Sequence, residues 1–428
     1  MVRTFYKFIK LYYLKVTQSI AFYPVLISAC FLLLAILSLK LENISFIKDI
    51  KEELPYFFIE DYETSRAILS TIIGGIISLT VFSFSMVMVV LNQASSSFSP
   101  RLLPSLISNK KHQLILGFYI GTLLYCIILI TALGAYGINA DSMGFSTMIA
   151  ALISLVCIGL FVYFINSISV AIQIHNIVDK IYNATHHFFK KELKEQNEEK
   201  VITNTVNSAE WTTLTINKTG YFRQFDNSLL KEEIQKSDNH FIILPYVNQH
   251  IWKGEAVIKI KNFINEEELK NILFCFDIAQ DRHEGEENET GMIKLMEIAV
   301  KAMSPGINDP GTAINAINKI GQLLNLYLEF PHEVSKQITK GGLTITDHKI
   351  TAEEILKMII QPIRLYSKHD SSVMHVLIKT LKFTLTNPSI DEQNKIAVKS
   401  ELNALKFDIN ESISNPLDQK QLIDLIDK

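Results

Sequence analysis

Polar side chains recur at a fixed interval along one apolar segment of the chain. They are spaced seven residues apart, at Thr71, Ser78, Ser85, Asn92 and Ser99. Seven residues make nearly two turns of an α-helix, so these side chains share one helix face. Hydroxyl and amide groups inside a membrane need water or a protein partner. The row therefore predicts either the lining of a hydrated pathway or a helix–helix contact.

The row becomes more polar toward its C-terminal end, where Asn92 and Gln93 precede three consecutive serines. The candidates for lining a pathway are Ser78, Ser85, Asn92, Gln93, Ser96 and Ser99. Small hydroxyl residues also let two helix backbones approach and bond across the interface, which is the alternative. None of the apolar runs carries a central Asp, Glu, Lys or Arg. That argues against a proton relay or a coupled pump and leaves a passive pathway open.

Two groups of titratable residues in the rest of the chain have the types that bind cations. His175, Asp179 and His186 fall on one side of a predicted helix, and a carboxylate-rich segment surrounds His283 in residues 277–290. Imidazole and carboxylate suit several divalent metals. A solvated helix face and a solvated acidic loop are the alternatives, so the sequence leaves the presence of a metal open.

A nine-residue turn, Ser304-Pro305-Gly306-Ile307-Asn308-Asp309-Pro310-Gly311-Thr312, carries strong local signals. Pro305-Gly306 ends one helix, and Asp309 is the predicted N-cap of the next, with Pro310 as its first residue. Exposed N–H groups at such a helix start can hold an anion. The alternative is a corner that fixes the angle between two helices.

The elements that position these residues begin with four apolar runs, at residues 20–39, 67–91, 114–135 and 146–174. Each reaches the ~20 residues that cross a hydrocarbon core. The fourth is long enough to continue as a helix beyond the membrane. Residues 1–180 are therefore predicted to form a domain of four transmembrane helices.

The distribution of charge predicts the orientation of these spans. The N-terminal segment carries Arg3, Lys7, Lys10 and Lys15 without an acid, and residues 92–113 carry only basic charges. In residues 40–66, acidic residues outnumber basic ones. Because cytoplasmic loops are enriched in Lys and Arg, both termini are predicted to be cytoplasmic.

The C-terminal half is predicted to be a cytoplasmic α+β domain. A charged helical linker at residues 181–200 precedes a β-rich subdomain at residues 201–262, where short β-branched runs alternate with turns. The predicted fold of that subdomain is a small β-barrel or sandwich, with one helix at residues 226–236. Residues 263–428 show helical spacing and are predicted to be mostly helical.

Composition excludes several classes of protein. The net charge of −3 does not suggest a nucleic-acid partner. The four cysteines show no C-x-x-C spacing, so neither a disulfide framework nor a structural zinc site is expected. The motifs of phosphate-binding loops, serine hydrolases, zinc proteases and dinucleotide-binding folds do not occur. The chain is therefore expected not to be an enzyme and to use no cofactor.

Four segments resemble motifs of a bacterial family of predicted membrane proteins, domain of unknown function 2254 (DUF2254). They are FSFSMVMVVLNQASSSFSPRLL (82–103), GYFRQFD (220–226), AQDR (279–282) and AVKAMSPGINDPGTA (299–313), in the family's order. The resemblance covers the chain from the first span to about residue 330. It implies a bacterial inner or plasma membrane protein and carries no activity.

The resemblance draws attention to polar residues of the matching motifs, and sidedness suggests how they interact. Arg101 ends the second span on the predicted cytoplasmic side, where the soluble domain also lies. We expect Arg101 to meet an acid of that domain, such as Asp281 or Asp309. The candidates for coupling the domain to the polar helix are Arg101, Asp281, Arg282, Asn308 and Asp309.

Two functions remain after these exclusions. The first is a channel or passive transporter with a cytoplasmic regulatory domain, assembled as a homo-oligomer because four spans are few to enclose a pore. The second is a membrane-anchored sensor or scaffold whose soluble domain binds an unidentified ligand or partner. The first is favoured because polar residues inside a membrane tend to be functional.

Overall fold

The computed structural model describes residues 19, 21–42, 44–53, 56, 58–59, 61–97, 110–135, 143–171, 173–198, 208–282, 289–330, 333–337 and 342–428. The chain forms two compact units, which we call the N-terminal and the C-terminal unit. The first extends to Asn176, and the second begins at Ile177.

The N-terminal unit is helical in its described part. Its helices are α1 (Phe22–Leu41), α2 (Ser45–Glu53), α3 (Tyr62–Ser97), α4 (Lys110–Ala135) and α5 (Gly144–Ala171). Four of them, α1, α3, α4 and α5, are long and apolar enough to cross a membrane. This confirms the four predicted membrane-capable helices, although α3 is longer at both ends than the predicted run 67–91.

Helices α1 and α4 pack against each other through two glycines of α4. A Cβ added to Gly117 would lie 2.8 Å from Ile27 Cδ1, and one added to Gly121 would lie 2.7 Å from Phe31 Cγ. Both distances are too short for a real side chain, so glycine is what permits this close approach. The small-residue pair of α4 therefore makes a contact within one chain.

A buried carboxylate joins distant parts of the N-terminal unit. Glu42, at the end of α1, is only 2% exposed. It accepts hydrogen bonds from the Phe145 and Ser146 N–H groups, both at 3.0 Å, and from the Ser146 hydroxyl at 2.7 Å, and it pairs with Lys51. These N–H groups begin α5, where the helix leaves its first donors unpaired. Glu42 therefore caps α5 from a position about a hundred residues earlier.

The C-terminal unit contains one long leading helix and two β-sheets. Helix α6 (Ile174–Glu198) is followed by short strands, which are β1 (Thr212–Thr215), β2 (Gly220–Phe225), β3 (His240–Ile243), β4 (His250–Ile251), β5 (Ala256–Ile260), β6 (Phe276–Ala279), β7 (Glu333–Gln337) and β8 (Thr344–His348). The five-stranded sheet has the order β1–β5–β3–β8–β7, with β3 and β8 parallel and its other pairs antiparallel. The three-stranded sheet has the antiparallel order β4–β2–β6.

One hydrophobic core is shared by the two sheets. It includes Phe241 and Ile345 from the five-stranded sheet and Phe222 and Phe276 from the three-stranded sheet. Within the described residues the strands form two open sheets and no closed barrel, so the predicted barrel or sandwich is not confirmed. Strands β6, β7 and β8 lie beyond residue 262, and β6 and β8 pair with the earlier strands β2 and β3.

The helix predicted at residues 226–236 is divided in two. Asp226 caps a single 3-10 turn at Asn227–Leu229, and a short helix α7 (Glu232–Gln235) follows after an extended Leu230 and Lys231. Leu229 and Leu230 are consecutive and both buried. Consecutive residues on a continuous helix point about 100° apart, so the break lets both enter the core.

The remaining helices pack together in the C-terminal unit. They are α8 (Glu266–Phe274), α9 (Glu289–Ala302), α10 (Pro310–Tyr327), α11 (Ala352–Ser367), α12 (Ser371–Leu385), α13 (Glu392–Ser412) and α14 (Pro416–Asp427). Helix α8 precedes β6, and α9–α14 contact one another. Local sequence fixes where they begin, because Asn265 and Thr351 each form a capping box with the glutamate three residues later.

Helix α6 is held against α10 by polar contacts. The Lys319 ammonium lies 2.8 Å from an Asp179 carboxylate oxygen and 4.5 Å from the centre of the Tyr182 ring. The Tyr182 hydroxyl donates to Gln322 Oε1 at 2.6 Å. These contacts tie the leading helix of the unit to the helix that the Ser304–Thr312 turn begins.

Candidate functional site

The inward face of α3 is defined by its buried residues. Leu69, Ile76, Ser83 and Val90 are all buried and recur every seven residues. All but Ser83 are apolar, and Leu69, Ile76 and Val90 belong with residues of α4 and α5 to the hydrophobic clusters of the N-terminal unit. This row fixes which side of α3 faces the rest of the chain.

The polar row of α3 lies on the opposite side. Each of its members follows a buried residue by two positions, which is about 200° around a helix. Thr71, Ser78, Ser85 and Asn92 are accordingly exposed. We call this surface the polar face of α3. It points away from the chain's own bundle, and the sequence periodicity alone did not determine that direction.

Hydroxyls on the polar face are satisfied by their own helix. The Thr71 hydroxyl donates to the Ala67 carbonyl at 2.8 Å, and the Ser78 hydroxyl donates to the Gly74 carbonyl at 2.9 Å. Asn92 and Gln93 are both exposed near the end of α3. Ser96 lies within α3, but its side chain is outside the described part of the structure. The whole of Ser99 lies outside the described residues.

Two glycines beside this face have open space above them. A Cβ added to Gly74 or Gly75 would meet no atom within 4 Å. Their lack of side chains therefore serves no packing within the described chain, unlike that of Gly117 and Gly121. Small residues on an open helix face leave room for the backbone of another helix.

Strands β2 and β6 bring two of the sequence motifs together. The motif GYFRQFD forms β2, AQDR ends β6, and Tyr221 is the register partner of Ala279. Gly220 permits this pairing, because it has a φ of +155° and an added Cβ would lie 2.5 Å from the Ala279 carbonyl oxygen. Two motifs that are far apart in sequence thus become one surface.

That surface combines arginines with aromatic rings. The Arg282 guanidinium lies 5.1 Å from the centre of the Tyr221 ring, and Arg223 Nη2 donates to the Asp281 carbonyl at 3.2 Å. The ring of His250 lies 5.0 Å from that of Tyr221 and 4.5 Å from that of Trp252. We call these residues, Tyr221, Arg223, His250, Trp252 and Arg282, the motif surface. The sequence pattern indicates Arg282 as a candidate but not the other four residues, because strand pairing brings them together.

The turn at Ser304–Thr312 has the predicted conformation. Asp309 accepts from the Thr312 N–H at 3.1 Å and from its hydroxyl at 2.6 Å, and Pro310 begins α10. Asn308 has a φ of +47°. The Thr312 hydroxyl is the main reason that the pKa of Asp309 is lowered. The caps agree with a helix corner, and the predicted N-cap is confirmed.

The structure describes four of the five residues that were predicted to couple the C-terminal unit to α3, and Arg101 is the exception. Among the described residues, no hydrogen bond or ion pair joins Asp281 or Arg282 to Asn308 or Asp309. Arg101 and residues 283–288 of the acidic segment lie outside the described residues. The coupling of Arg101 to an acid of the C-terminal unit therefore stays a prediction.

The side chains of the candidate cation site on α6, His175, Asp179 and His186, do not form a metal-binding group among the described residues. Asp179 pairs with Lys319, and His186 stacks on Tyr182 with ring centres 5.2 Å apart. In the described part of the chain no three His, Cys, Asp or Glu residues are grouped to hold a metal. The packing of α6 on α10 thus directs these side chains into structural contacts.

A polar cleft of about 590 Å³ lies between α11 and α13. Arg364 on its wall pairs with Glu401 at 2.9 Å and also with Asp408. Burial raises the pKa of Glu401, opposed by the Arg364 charge. Two carboxylates therefore already neutralise Arg364, the most buried cation of the cleft, and the lining residues do not indicate a particular ligand.

Comparison with known proteins gives a family and distant relatives. A family model described as "Predicted membrane protein (DUF2254)" matches residues 17–382, which extends past the expected limit at residue 330. Uncharacterized proteins Mb1321c of Mycobacterium bovis and Rv1290c of Mycobacterium tuberculosis are each 23% identical over 354 residues. The match covers 78% of this chain, which spans 65% of the length of each relative. No solved structure matches the chain.

Proposed function

Since the chain belongs to the DUF2254 family of predicted membrane proteins, we propose that it is an oligomeric channel or passive transporter of the bacterial inner membrane. The C-terminal unit is its cytoplasmic regulatory domain in this proposal. The proposal includes no enzymatic activity, no cofactor and no nucleic-acid partner. Its partners are the lipid bilayer and further copies of the same chain.

The direction of the polar face carries this proposal. Asn92 is exposed on α3, on the side opposite to the buried Val90 row. A single chain would turn this amide toward lipid, where an unpaired polar group costs several kcal/mol. Further copies of the chain would enclose the polar face and leave Asn92 and the hydroxyls of Ser78 and Ser85 beside water or one another.

Open glycines support an assembly of several chains. Gly74 and Gly75 lie beside the polar row, and no described residue lies within 4 Å of a Cβ added at either position. A neighbouring α3 can approach closely there, which would bring several polar faces around one axis. Four membrane-capable helices in one chain are few to surround a pore, so assembly supplies the remaining wall.

Flux through purified protein in liposomes tests the proposal. We expect ion or small-solute flux in the wild type that changes strongly in Asn92→Leu. Asn166→Leu is the matched control, because Asn166 is also exposed near the end of a membrane-capable helix but lies on α5. Absence of flux across several salts and pH values, or equal effects of the two substitutions, would contradict the proposal.

The motif surface favours the second candidate function, a membrane-anchored sensor. Its arginines and exposed Trp252 belong to the C-terminal unit and have no role in lining a pathway. If ligand binding there occurs without any flux, the membrane helices serve as an anchor. One protein can have both functions, because a regulated channel needs a site that binds its regulator.

A further inference from the structure

We propose that the motif surface binds a phosphate monoester, with Arg223 and Arg282 as the cationic ligands of the phosphate oxygens. This inference goes beyond the proposed pathway, and it stands whether or not the membrane helices conduct. The shared chemistry has two sources, a soluble nucleoside monophosphate and the headgroup of phosphatidic acid.

Arg282 presents an exposed guanidinium group. Among the described residues, this group makes a cation–π contact with the Tyr221 ring. Stacking on a ring fixes the plane of a guanidinium without using its N–H groups. A planar fork held in this way matches two oxygens of a phosphate.

Arg223 carries a donor that the protein leaves unsatisfied. Its Nε atom is buried and has no hydrogen-bond partner among the described residues, although Nη2 donates to the Asp281 carbonyl. An unpaired buried donor is costly and calls for an explanation in any folded protein. An oxyanion held beside the β2–β6 pair would supply the missing acceptor.

A hydrogen bond joins Arg223 to the segment that carries Arg282. Arg223 bonds the carbonyl of Asp281, the residue directly before Arg282. Tyr246 lies close enough to Arg282 for that charge to oppose the burial that raises the pKa of the Tyr246 phenol. The Tyr246 phenol near Arg282 adds a further hydrogen-bond donor for a phosphate oxygen.

Aromatic rings border these cations on the other strand. His250 lies between Tyr221 and Trp252, and the Trp252 side chain is 67% exposed. Large exposed rings next to cations are suited to the planar base of a nucleotide or to the boundary between headgroups and acyl chains. The geometry therefore accommodates either source of the phosphate.

Tryptophan fluorescence of the full-length protein gives a direct assay. The chain has two tryptophans, so Trp211→Phe leaves Trp252 as the sole reporter. One arm titrates AMP into this protein in phosphatidylcholine nanodiscs, with adenosine as the control that lacks phosphate. The other arm adds phosphatidic acid vesicles, with pure phosphatidylcholine vesicles as the control.

Substitutions then identify the cations. Arg282→Gln removes an exposed charge without disturbing the core, and we expect it to weaken binding about tenfold or more. Arg223→Lys keeps the charge but loses the planar fork, and we expect a similar loss. Lys261→Gln is the matched control, because it removes an exposed positive charge beyond the end of β5, in the other sheet.

The outcomes separate the sources and test the site. Saturable binding of AMP that Arg282→Gln weakens assigns a soluble ligand, and the same result with phosphatidic acid alone assigns a lipid headgroup. No saturable response to either probe overturns the proposal. It is also overturned if Arg282→Gln and Lys261→Gln bind alike. Flux is not measured here, so a failure of this site is distinct from a failure of the pathway.

Discussion

At the residue scale, Gly220 allows β2 and β6 to approach closely enough to form the motif surface. An alanine there would place its Cβ 2.5 Å from the Ala279 carbonyl oxygen and 2.9 Å from Ile278 Cγ2, at a φ of +155°. We expect Gly220→Ala to destabilise the C-terminal unit by about 2 kcal/mol or more, from strain and collision together. Denaturant unfolding followed by the fluorescence of Trp211 and Trp252 measures this change.

Gly254→Ala is the control for that prediction. Gly254 also has a positive φ, +91°, but nothing lies within 4 Å of an added Cβ. Only backbone strain remains, so we expect a loss of about 1 kcal/mol. Equal losses in the two variants would show that the approach of β2 to β6 does not require glycine.

Asp309 makes a pH-dependent contribution at the start of α10. Its pKa in the folded chain is lowered, mainly by the hydrogen bond from the Thr312 hydroxyl. A lowered carboxyl pKa stabilises the fold above the unfolded pKa of about 3.9, and that stability is lost as pH falls through the folded pKa. Asparagine also caps helices but does not titrate.

We therefore expect Asp309→Asn to change the free energy of unfolding by only about 0.5 kcal/mol at neutral pH. Below the usual carboxyl range, the variant should lose less stability than the wild type. Unfolding followed by far-ultraviolet circular dichroism at neutral and acid pH compares the two. Identical pH dependence would mean that the Asp309 carboxylate does not stabilise the folded chain.

At the scale of elements, α3 presents two faces with different partners. Its buried row, Leu69, Ile76, Ser83 and Val90, packs within the chain, while the polar face with Ser78 points outward. If copies meet through the polar face, cysteines placed there will react with each other. We expect Ser78→Cys to form a disulfide-linked dimer on oxidation in membranes.

The matched control is Ser83→Cys, because Ser83 lies on the same helix but is 5% exposed. Both variants carry Cys30→Ser, which removes the exposed native cysteine. We expect no cross-linked dimer from Ser83→Cys on non-reducing gels. Cross-linking at Ser83 but not at Ser78 would contradict an interface on the polar face.

At the scale of the whole molecule, the charge distribution predicts that the C-terminal unit is cytoplasmic and α2 is external. Single cysteines on exposed residues of each test this orientation, in the Cys30→Ser background. We expect a membrane-impermeant maleimide to label Asp49→Cys in intact cells and Lys194→Cys only after permeabilisation. The reverse labelling pattern would invert the topology.

Local patterns determined much of this protein. The lengths of the apolar runs predicted four membrane-capable helices, and the Asp309-Pro310 signal predicted where α10 begins. The seven-residue spacing predicted one polar face on α3. Each of these features depends on residues within a few turns of one another, so spacing and side-chain type are sufficient to identify it.

Only the tertiary structure determined which other parts of the chain these elements contact. Spacing identifies a helix face but not its direction, so only packing placed the Ser78 face outside the bundle. Glu42 caps α5 near Ser146, and β6 pairs with β2 to form the motif surface. Such pairings close long loops, and their energy comes from contacts that no local window of sequence contains.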